Sequence, residues 1–269
     1  MDSFARATAL DPSPTGGFTW DVPDGWQQGR GAWGGLVVGA LTRAVRLSEP
    51  DTTRVVRSIS AQLVAPAVVG PLDVQVTALR RGSAVSTWSA SATDRGGKLV
   101  ASLVGVLGSP RLAVQDIDFA DWGTLSPPDV LPPADVARVD LSPPLGPVFL
   151  SQMDIRPVRG VPMSGEAADC LGWVDYAEPV DRTAESVLAL VDAWWPASFP
   201  RMMGLHPVAT VNFTAHLLVD PVTVPAGEPL VSHSFVSSAA EGFTSETRRL
   251  WTADGRLAVD NLQSIVYIA

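Results

Sequence analysis

Two turn signatures recur in this chain at the same separation. Pro71-Leu72 matches Pro229-Leu230, and Gly97-Lys98-Leu99 matches Gly255-Arg256-Leu257. Both offsets are 158 residues (229 − 71 and 255 − 97). The order of the predicted elements around the turns agrees as well, because each half carries a helix followed by strands. A repeat of this kind predicts that the chain folds as two copies of one helix-plus-sheet unit.

The first copy is predicted to be one helix followed by four strands. In LVVGALTRAVRLSEP, which follows Gly35, apolar residues recur with helical spacing, and Pro50 lies just past the last of them. Alternating or apolar runs then predict strands over 54–65, 72–79, 84–93 and 99–107. Because the connections are short, we expect an antiparallel meander, since a parallel crossover needs about a dozen residues.

A proline-rich stretch over 110–147 separates the two patterned halves. Its segments SPPDVLPP and LSPPLGP are typical of an extended, polyproline-like connector. Beyond it the pattern predicts a helix over 183–199 and strands over 171–176, 208–218, 230–237, 244–252 and 257–268. We therefore expect an N-terminal repeat (1–109), a Pro-rich connector (110–150) and a C-terminal repeat (151–269).

Composition narrows the classes of function. The formal net charge of −9 argues against sequence-independent binding of nucleic acid, which needs a basic surface. The single cysteine, Cys170, excludes an intrachain disulfide and a zinc site built on clustered cysteines, and no other metal-ligand spacing appears. The sequence shows no signal-peptide pattern and no apolar run of about 18 residues, so we expect a cytoplasmic protein without a membrane span.

The segment GRGAWGG (29–35) matches the G-x-G-x-x-G expression of a dinucleotide-binding turn. That motif requires a buried parallel strand before the glycines and a βαβ unit around them. Here PDGWQQ precedes the glycines and hairpins follow the next strand, so no dinucleotide and no other cofactor is expected. What remains is a helix start at Gly34 and Gly35, which either exposes N–H groups to a ligand or allows close packing of helix on sheet.

A helix on an antiparallel sheet, present twice, is the α+β double hot-dog architecture, in which the two repeats form one continuous pseudo-dimeric sheet. RGAWGGLVVGAL followed by VVRSISAQLVAP resembles the first half of acyl-CoA thioesterase II and its thioesterase-like relatives, where an FGGQ- or YGG-type helix start precedes a strand. TADGRLAVDNLQSIVY resembles the final hairpin of that family, with a glutamine on the last strand. The resemblance extends over roughly residues 25–269, apart from the connector.

The resemblance implies a set of catalytic residues. In that family an Asp, a Thr and a Gln activate a water molecule. The matching positions are Asp192 on the second helix, Thr210 in Ala209-Thr210-Val211-Asn212, and Gln263 on the last strand. The chain departs from the family at Asn212, where relatives often have Asp, which puts the choice of substrate in doubt. Taken without the resemblance, Asp192 would be a solvated helix residue, Thr210 a common β-branched strand residue and Gln263 an outward-facing strand residue.

Substrate binding is expected at the start of the first helix, from Trp33, Gly34 and Gly35, with the Gly35 N–H on the thioester oxygen. Trp33 is a second departure, since Phe or Tyr is usual there. At the offset of 158, Gln263 corresponds to Gly105 and Asp192 to Gly34 (263 − 105 and 192 − 34). The repeats would thus contribute different groups to one site per chain.

The expected function is hydrolysis of an acyl thioester to free acid and CoA by direct attack of water, with acyl-CoA as the substrate and a homo-oligomer, a dimer or larger, as the assembly. One alternative is a catalytically silent protein of the same fold that binds acyl-CoA or lipid. Another is an enoyl-CoA hydratase or dehydratase, which would use a His/Asp pair, but His206, His216 and His233 lie in no such motif. A serine hydrolase is not expected, because no G-x-S-x-G elbow occurs.

Overall fold

The computed structural model describes residues 1–14, 16–110, 125–204 and 206–268, so the first part of the predicted connector, 111–124, lies outside the described residues. The helices are α1 (Ser3–Ala7), α2 (Gly34–Ser48) and α3 (Ala184–Leu190). The strands are β1 (Asp11–Pro12), β2 (Phe18–Val22), β3 (Gln27–Gln28), β4 (Gly31–Ala32), β5 (Val55–Leu63), β6 (Gly70–Arg81), β7 (Val85–Thr93), β8 (Leu99–Gly108), β9 (Met153–Arg159), β10 (Asp169–Tyr176), β11 (Val208–Leu217), β12 (Leu230–Ala240), β13 (Phe243–Trp251) and β14 (Leu257–Tyr267). None of the described helices is long and apolar enough to cross a membrane.

Twelve of these strands form one antiparallel sheet in the order β1-β2-β6-β7-β8-β5-β11-β14-β13-β12-β10-β9, while β3 and β4 pair separately. The order β6-β7-β8-β5 is mirrored by β11-β14-β13-β12, so the two halves of the chain meet where β5 pairs with β11. β7 and β13, and likewise β8 and β14, begin 158 residues apart (243 − 85 and 257 − 99). These strands therefore keep the same offset as the turn signatures.

The strand order corrects the predicted meander. β5 pairs with β8 and not with β6, and β11 pairs with β14 and not with β12. Between β5 and β6 the six residues 64–69 pass over the end of the sheet. They span three strand spacings, about 14 Å, which six extended residues can bridge at about 3.3 Å each. The short connection is thus compatible with a crossing of two strands, and length alone predicted the wrong partner.

The two longer helices pack against one face of the sheet and against each other. A Cβ on Gly35 would lie 2.7 Å from the carbonyl oxygen of Ala189, and a Cβ on Gly39 would lie 3.5 Å from that of Glu185. Residues further along α2 contact residues nearer the start of α3, so the two helices run antiparallel. The small residues on α2 are what allow its backbone to approach α3 this closely.

α3 ends at Leu190, well before the predicted end of the helix at 199. Its start is well capped, because Thr183 Oγ1 accepts the N–H of Ser186 at 3.2 Å and Ser186 Oγ accepts the N–H of Thr183 at 2.9 Å. A helix continued through Pro196 would lose the bond to the carbonyl of Asp192, and the proline ring would clash with that carbonyl. Asp192 therefore lies in an irregular segment after the helix and not on the helix.

Several elements were missed by the sequence analysis, among them α1, β2 and β9, which lie outside the repeated pattern. The first described stretch of the connector packs on the outer face of the second half of the sheet, whereas Phe149 near its end lies in the main core. The indole N–H of Trp173 donates to the carbonyl of Leu131 at 2.8 Å, and that of Trp251 donates to Leu125 at 3.2 Å. The main core lies on the opposite, helix-covered face and contains residues from both halves.

Candidate active site

The three predicted catalytic residues lie together. The Gln263 side chain donates from Nε2 to Asp192 Oδ1 at 3.0 Å, and the Thr210 hydroxyl donates to Gln263 Oε1 at 3.2 Å. Gln263 is fully buried and Asp192 is 8% exposed. The result is a continuous hydrogen-bond chain from a strand hydroxyl through an amide to a buried carboxylate.

A β-bulge brings Thr210 into this chain. β11 and β14 shift register between Thr210 and Asn212, so that Val211 is an extra residue on β11. Further along β11, Phe213 is buried on the helix side, whereas Thr214 faces outward toward Ser60. Strict alternation would place Thr210 outward, like Thr214. The extra residue reverses the alternation and turns the Thr210 hydroxyl to the side on which Gln263 lies.

An open cavity of about 610 Å³ adjoins the chain of three residues. Its walls come from the turn of the β3–β4 hairpin, the start of α2, the end of β5 with the loop after it, and the start of β11. The lining is mostly apolar, with Val37, Leu63 and Pro66 among its members, and Thr210 also faces it. Arg30 is the one charged side chain among the described residues of the lining. An apolar cleft with few polar groups is typical of a small-molecule site.

Gly34 separates the cavity from the carboxylate. It lines the cavity, and a Cβ at this position would lie 2.8 Å from Asp192 Oδ2 and 3.0 Å from Leu63 Cδ1. The missing side chain therefore keeps the space beside Asp192 Oδ2 open. Gly34 is the first residue of α2, where N–H groups have no acceptor within the helix.

The structure corrects the predicted roles of Gly35 and Trp33. The backbone N–H of Gly35 faces the Asp192 carboxylate and acts to lower its pKa, so it is not directed at a substrate oxygen in the cavity. Trp33 is fully buried behind the helix start, stacked on Phe149 at 4.9 Å between ring centroids. Its indole N–H donates to the backbone carbonyl of Asp192 at 3.0 Å. Neither residue lines the cavity, and both instead hold the segment that carries Asp192.

The charge environment of Asp192 is unusual. Burial raises the pKa of the Asp192 carboxyl above its ordinary value, while the nearby Arg248 guanidinium and the hydrogen bonds from Gln263 and Gly35 oppose the rise, and Glu246 adds to it. Arg248 Nη1 lies 3.8 Å from Asp192 Oδ1. A carboxyl with a raised pKa close to an apolar cavity is typical of a general base or acid.

Arg248 and Glu246 were not found by the sequence analysis. They occupy the same face of β13 in FTSETRRLW and are 2% and 0% exposed. Their spacing by two residues from Leu250, an apolar core position, is the signal that they point inward. The adjacent Arg249 weakens that signal, because it pairs with Asp260 on the outer face at 2.9 Å. Charges on a strand are usually solvated, which is why this pair is difficult to detect.

The predicted equivalence of Asp192 and Gly34 is wrong, because the helices do not keep the offset of 158 and the counterpart of Gly34 is Ala184. The helices α2 and α3 begin 150 residues apart (184 − 34), not 158, because the second half has a different spacing between helix and strands. The correspondence of Gln263 with Gly105 does hold, as both lie on strands that keep the offset of 158. The first half of the chain thus supplies the glycine start, and the second half supplies the carboxylate and the amide.

The histidines do not lie where they could act on a ligand in this cavity. No histidine is among the described residues that line the cavity. His233 pairs with Asp169 at 2.8 Å next to Trp251, whose indole meets the connector on the outer face of the sheet, and His216 is exposed on β11. A hydratase or dehydratase built on a His/Asp pair at this cavity is therefore not favoured.

Comparison with known families decides the relationship. Residues 22–108 match the acyl-CoA thioesterase N-terminal domain, and residues 128–267 match the acyl-CoA thioesterase C-terminal domain. The two matches together extend over most of the chain. This chain belongs to the acyl-CoA thioesterase family.

Solved structures place this acyl-CoA thioesterase family member in the hot-dog fold. A conserved protein of unknown function with a hot-dog fold from Alicyclobacillus acidocaldarius has a TM-score of 0.87 at 23% identity, over 100% of this chain and 99% of that one. A candidate thioesterase II from Thermobifida fusca has a TM-score of 0.84 at 21% identity, over 100% and 98%. The acyl-CoA thioesterase II from Mycobacterium marinum has a TM-score of 0.75 at 16% identity, over 99% and 98%. Among curated proteins no match is found.

Proposed function

We propose that this member of the family hydrolyses an acyl-CoA thioester to the free acid and CoA by direct attack of water. The observation that carries the proposal is the buried Asp192 carboxylate, hydrogen-bonded to Gln263 and separated from an apolar cavity by a residue without a side chain. The family relationship names the reaction class, and the apolar lining suits an acyl chain.

In the proposed reaction, Thr210 and Gln263 position a water molecule next to Asp192. Asp192 takes a proton as the water oxygen forms a bond to the thioester carbonyl carbon. The Gly34 N–H, at the start of α2, donates to the oxyanion that develops on the carbonyl oxygen. When the tetrahedral intermediate collapses, the carbon–sulfur bond breaks, and the proton held by Asp192 passes to the departing thiolate. No covalent acyl-enzyme is required.

We also propose that the fold is a double hot-dog with one such site per chain. The proposed units are residues 1–109 and 151–269, with 110–150 as the connector. The mirrored strand order on either side of the β5–β11 pair supports this division. Gly34 comes from the first unit, whereas Asp192, Thr210 and Gln263 come from the second, so neither unit would hold a complete site.

The test follows release of free thiol from a series of acyl-CoAs of increasing chain length. Asp192→Asn is expected to lower kcat by about 10²- to 10⁴-fold, because it removes the proton acceptor while keeping the oxygen that accepts from Gln263. Asp260→Asn is the matched control, since it removes a carboxylate from the outer face of the same sheet. It is expected to leave kcat unchanged.

Three results would contradict the proposal. Binding of acyl-CoA without release of thiol at any chain length would indicate a silent binding protein of the same fold. Equal rates for the natural chain and Asp192→Asn would show that hydrolysis takes place without this carboxylate. Addition of water to an enoyl-CoA without thiol release would instead indicate a hydratase.

A further inference from the structure

The segment that carries Asp192 is held at its start by a helix-type hydrogen bond, from the Asp192 N–H to the carbonyl of Ala189 at 2.9 Å. α3 itself ends at Leu190, and Pro196 excludes a helical continuation, so backbone groups further along the segment need other partners. Two side chains from β13 meet this need. Arg248 Nη1 donates to the carbonyl of Trp194 at 3.1 Å, and Glu246 Oε2 accepts the N–H of Ala197 at 3.1 Å.

Arg248 and Glu246 also bind each other. Arg248 Nη2 donates to Glu246 Oε2 at 3.0 Å, and both side chains are almost completely buried. The guanidinium lies 3.8 Å from Asp192 Oδ1, which is too long for a direct hydrogen bond but close enough for a strong charge effect. One ion pair therefore contacts the backbone of the segment at Trp194 and at Ala197 and faces its carboxylate.

The pair is poorly explained as a device for stability alone. Among the described residues, Arg248 Nε and Glu246 Oε1 have no hydrogen-bond partner, and buried ion pairs left incompletely satisfied contribute little to stability. The repeat offers an internal comparison. At the offset of 158 that holds for β7 and β13, Glu246 corresponds to Trp88 and Arg248 to Ala90 (246 − 88 and 248 − 90). The same sheet positions in the first half are thus occupied without an ion pair.

We propose that Arg248 and Glu246 are positioning residues for Asp192: together they hold its segment in place, and they bias the charge on its carboxylate in opposite directions. This inference rests on the proposed function, because Asp192 is taken as the proton acceptor. Arg248 favours the ionised carboxylate that accepts a proton. Glu246 anchors the guanidinium and, as a like charge, opposes complete ionisation.

The groups that face Asp192 come from three elements. β13 contributes the two charged side chains, β14 contributes the neutral Gln263, and the start of α2 contributes the Gly35 N–H. Burial raises the pKa of the Cys170 thiol to about 12 and also raises the pKa of Tyr267, and the Glu246 charge adds to both, so the two groups stay neutral in the working range. Changes in the titration of Asp192 are therefore assignable to Arg248 and Glu246.

The experiment measures the titration of the Asp192 carboxyl directly. Carboxyl ¹³C signals of aspartate are recorded against pH in the full chain, and the Asp192 signal is assigned by its loss in Asp192→Asn. Arg248→Met is expected to raise the titration midpoint by about one to three pH units, because an opposite charge is removed. Glu246→Gln is expected to lower it, because a like charge is removed. Arg249→Met, on the outer face, should not move it.

The same variants are then compared in thiol release. The acid limb of the kcat profile should move up in pH for Arg248→Met and down for Glu246→Gln, with KM changed less than about twofold. Arg248→Lys keeps the charge but cannot contact the Trp194 carbonyl and Glu246 at the same time. It should therefore restore the acid limb to its natural pH while kcat remains below that of the natural chain. Unmoved midpoints in both Arg248→Met and Glu246→Gln would overturn the inference. Shifted midpoints in a chain without hydrolysis would instead count against the proposed function, and the two failures are thereby distinguished.

Discussion

At the level of single residues, the site carries an unbalanced charge. Asp192, Glu246 and Arg248 are all buried, and when all are ionised they carry two negative charges and one positive charge. Burial of an incompletely compensated carboxylate opposes folding, since water solvates the charge better than the interior does. A protein that keeps such a residue gives up stability at that position for chemistry.

Asp192→Asn is therefore expected to stabilise the fold at neutral pH. The pKa of Asp192 is higher in the folded than in the unfolded chain, chiefly through burial. The stability linked to this proton is present below the unfolded-state pKa and is lost as the pH rises through the folded-state pKa. The variant, which does not ionise, escapes that loss. Urea unfolding should show a gain at neutral pH that disappears near pH 4, about where a free carboxyl titrates.

Asp169→Asn serves as a control of opposite sign. Burial acts to raise the pKa of Asp169, but hydrogen bonds from His233 and Arg159 hold it below its ordinary value. Its contribution to stability is present above the unfolded-state pKa and is lost as the pH falls through the folded-state pKa. Asp169→Asn should therefore destabilise at neutral pH. A loss of stability in both variants would contradict the account of Asp192.

Gly34 is expected to be intolerant of even one methyl group, for a local reason. A Cβ there would lie 2.8 Å from Asp192 Oδ2, so Gly34→Ala should displace the carboxylate and lower kcat by roughly 10- to 100-fold. Stability should change little, because alanine is the better helix former by about 1 kcal/mol and this gain offsets the cost of displacing the carboxylate. The measurements are thiol release and thermal unfolding of the same preparation.

Gly35→Ala provides the contrast, since its Cβ would lie 2.7 Å from the backbone carbonyl of Ala189, which cannot move without separating the helices. That variant should lose stability as well as activity. Wild-type kcat in Gly34→Ala would contradict the position assigned to the carboxylate.

At the level of elements, the sequence predicts the strands better than their partners. β7, β8, β13 and β14 follow their predicted bounds to within two residues, because alternating burial is written into each strand locally. The pairing of β5 with β8 depends on the strand order of the whole sheet, and no local sequence pattern specifies that order. The bulge at Val211 and the inward pair on β13 were missed for the same reason. Neither an extra residue in a strand nor the direction of a charged side chain can be read from the local pattern, because both depend on the neighbouring strands.

α3 is the element on which the position of Asp192 most directly depends, and it has only seven residues. So short a helix depends on its caps and its packing, because isolated helices of this length are not stable in water. Thr183→Ala removes the hydroxyl that accepts the Ser186 N–H and should lower the free energy of unfolding by about 1 kcal/mol. Thr183→Ser keeps that bond and should lose much less. Equal losses in urea unfolding would assign the effect to the methyl group and not to the cap.

At the level of the whole molecule, the two halves share one core. Buried residues from α2, α3 and both sets of strands form a single cluster, and the β5–β11 pair makes the sheet continuous across the middle of the chain. The proposed site depends on this continuity, because Gly34 and Asp192 come from different halves and approach across the helix pair. A half that unfolded alone would dismantle the site.

The halves are therefore expected to unfold together, which a substitution in the centre of the sheet can test. Phe213 on β11 is fully buried opposite Ala61 of β5, so Phe213→Ala should lower the free energy of unfolding by about 3–5 kcal/mol. Thr214→Ala, one residue further on the outer face, should stay within about 0.5 kcal/mol of the natural chain. Tryptophan fluorescence and far-ultraviolet circular dichroism should report one coincident transition in all three proteins, because a shared core couples the halves. Separate transitions for the two signals would show instead that each half folds independently. The β5–β11 pair would then be an interface between two folded units and not part of a common core.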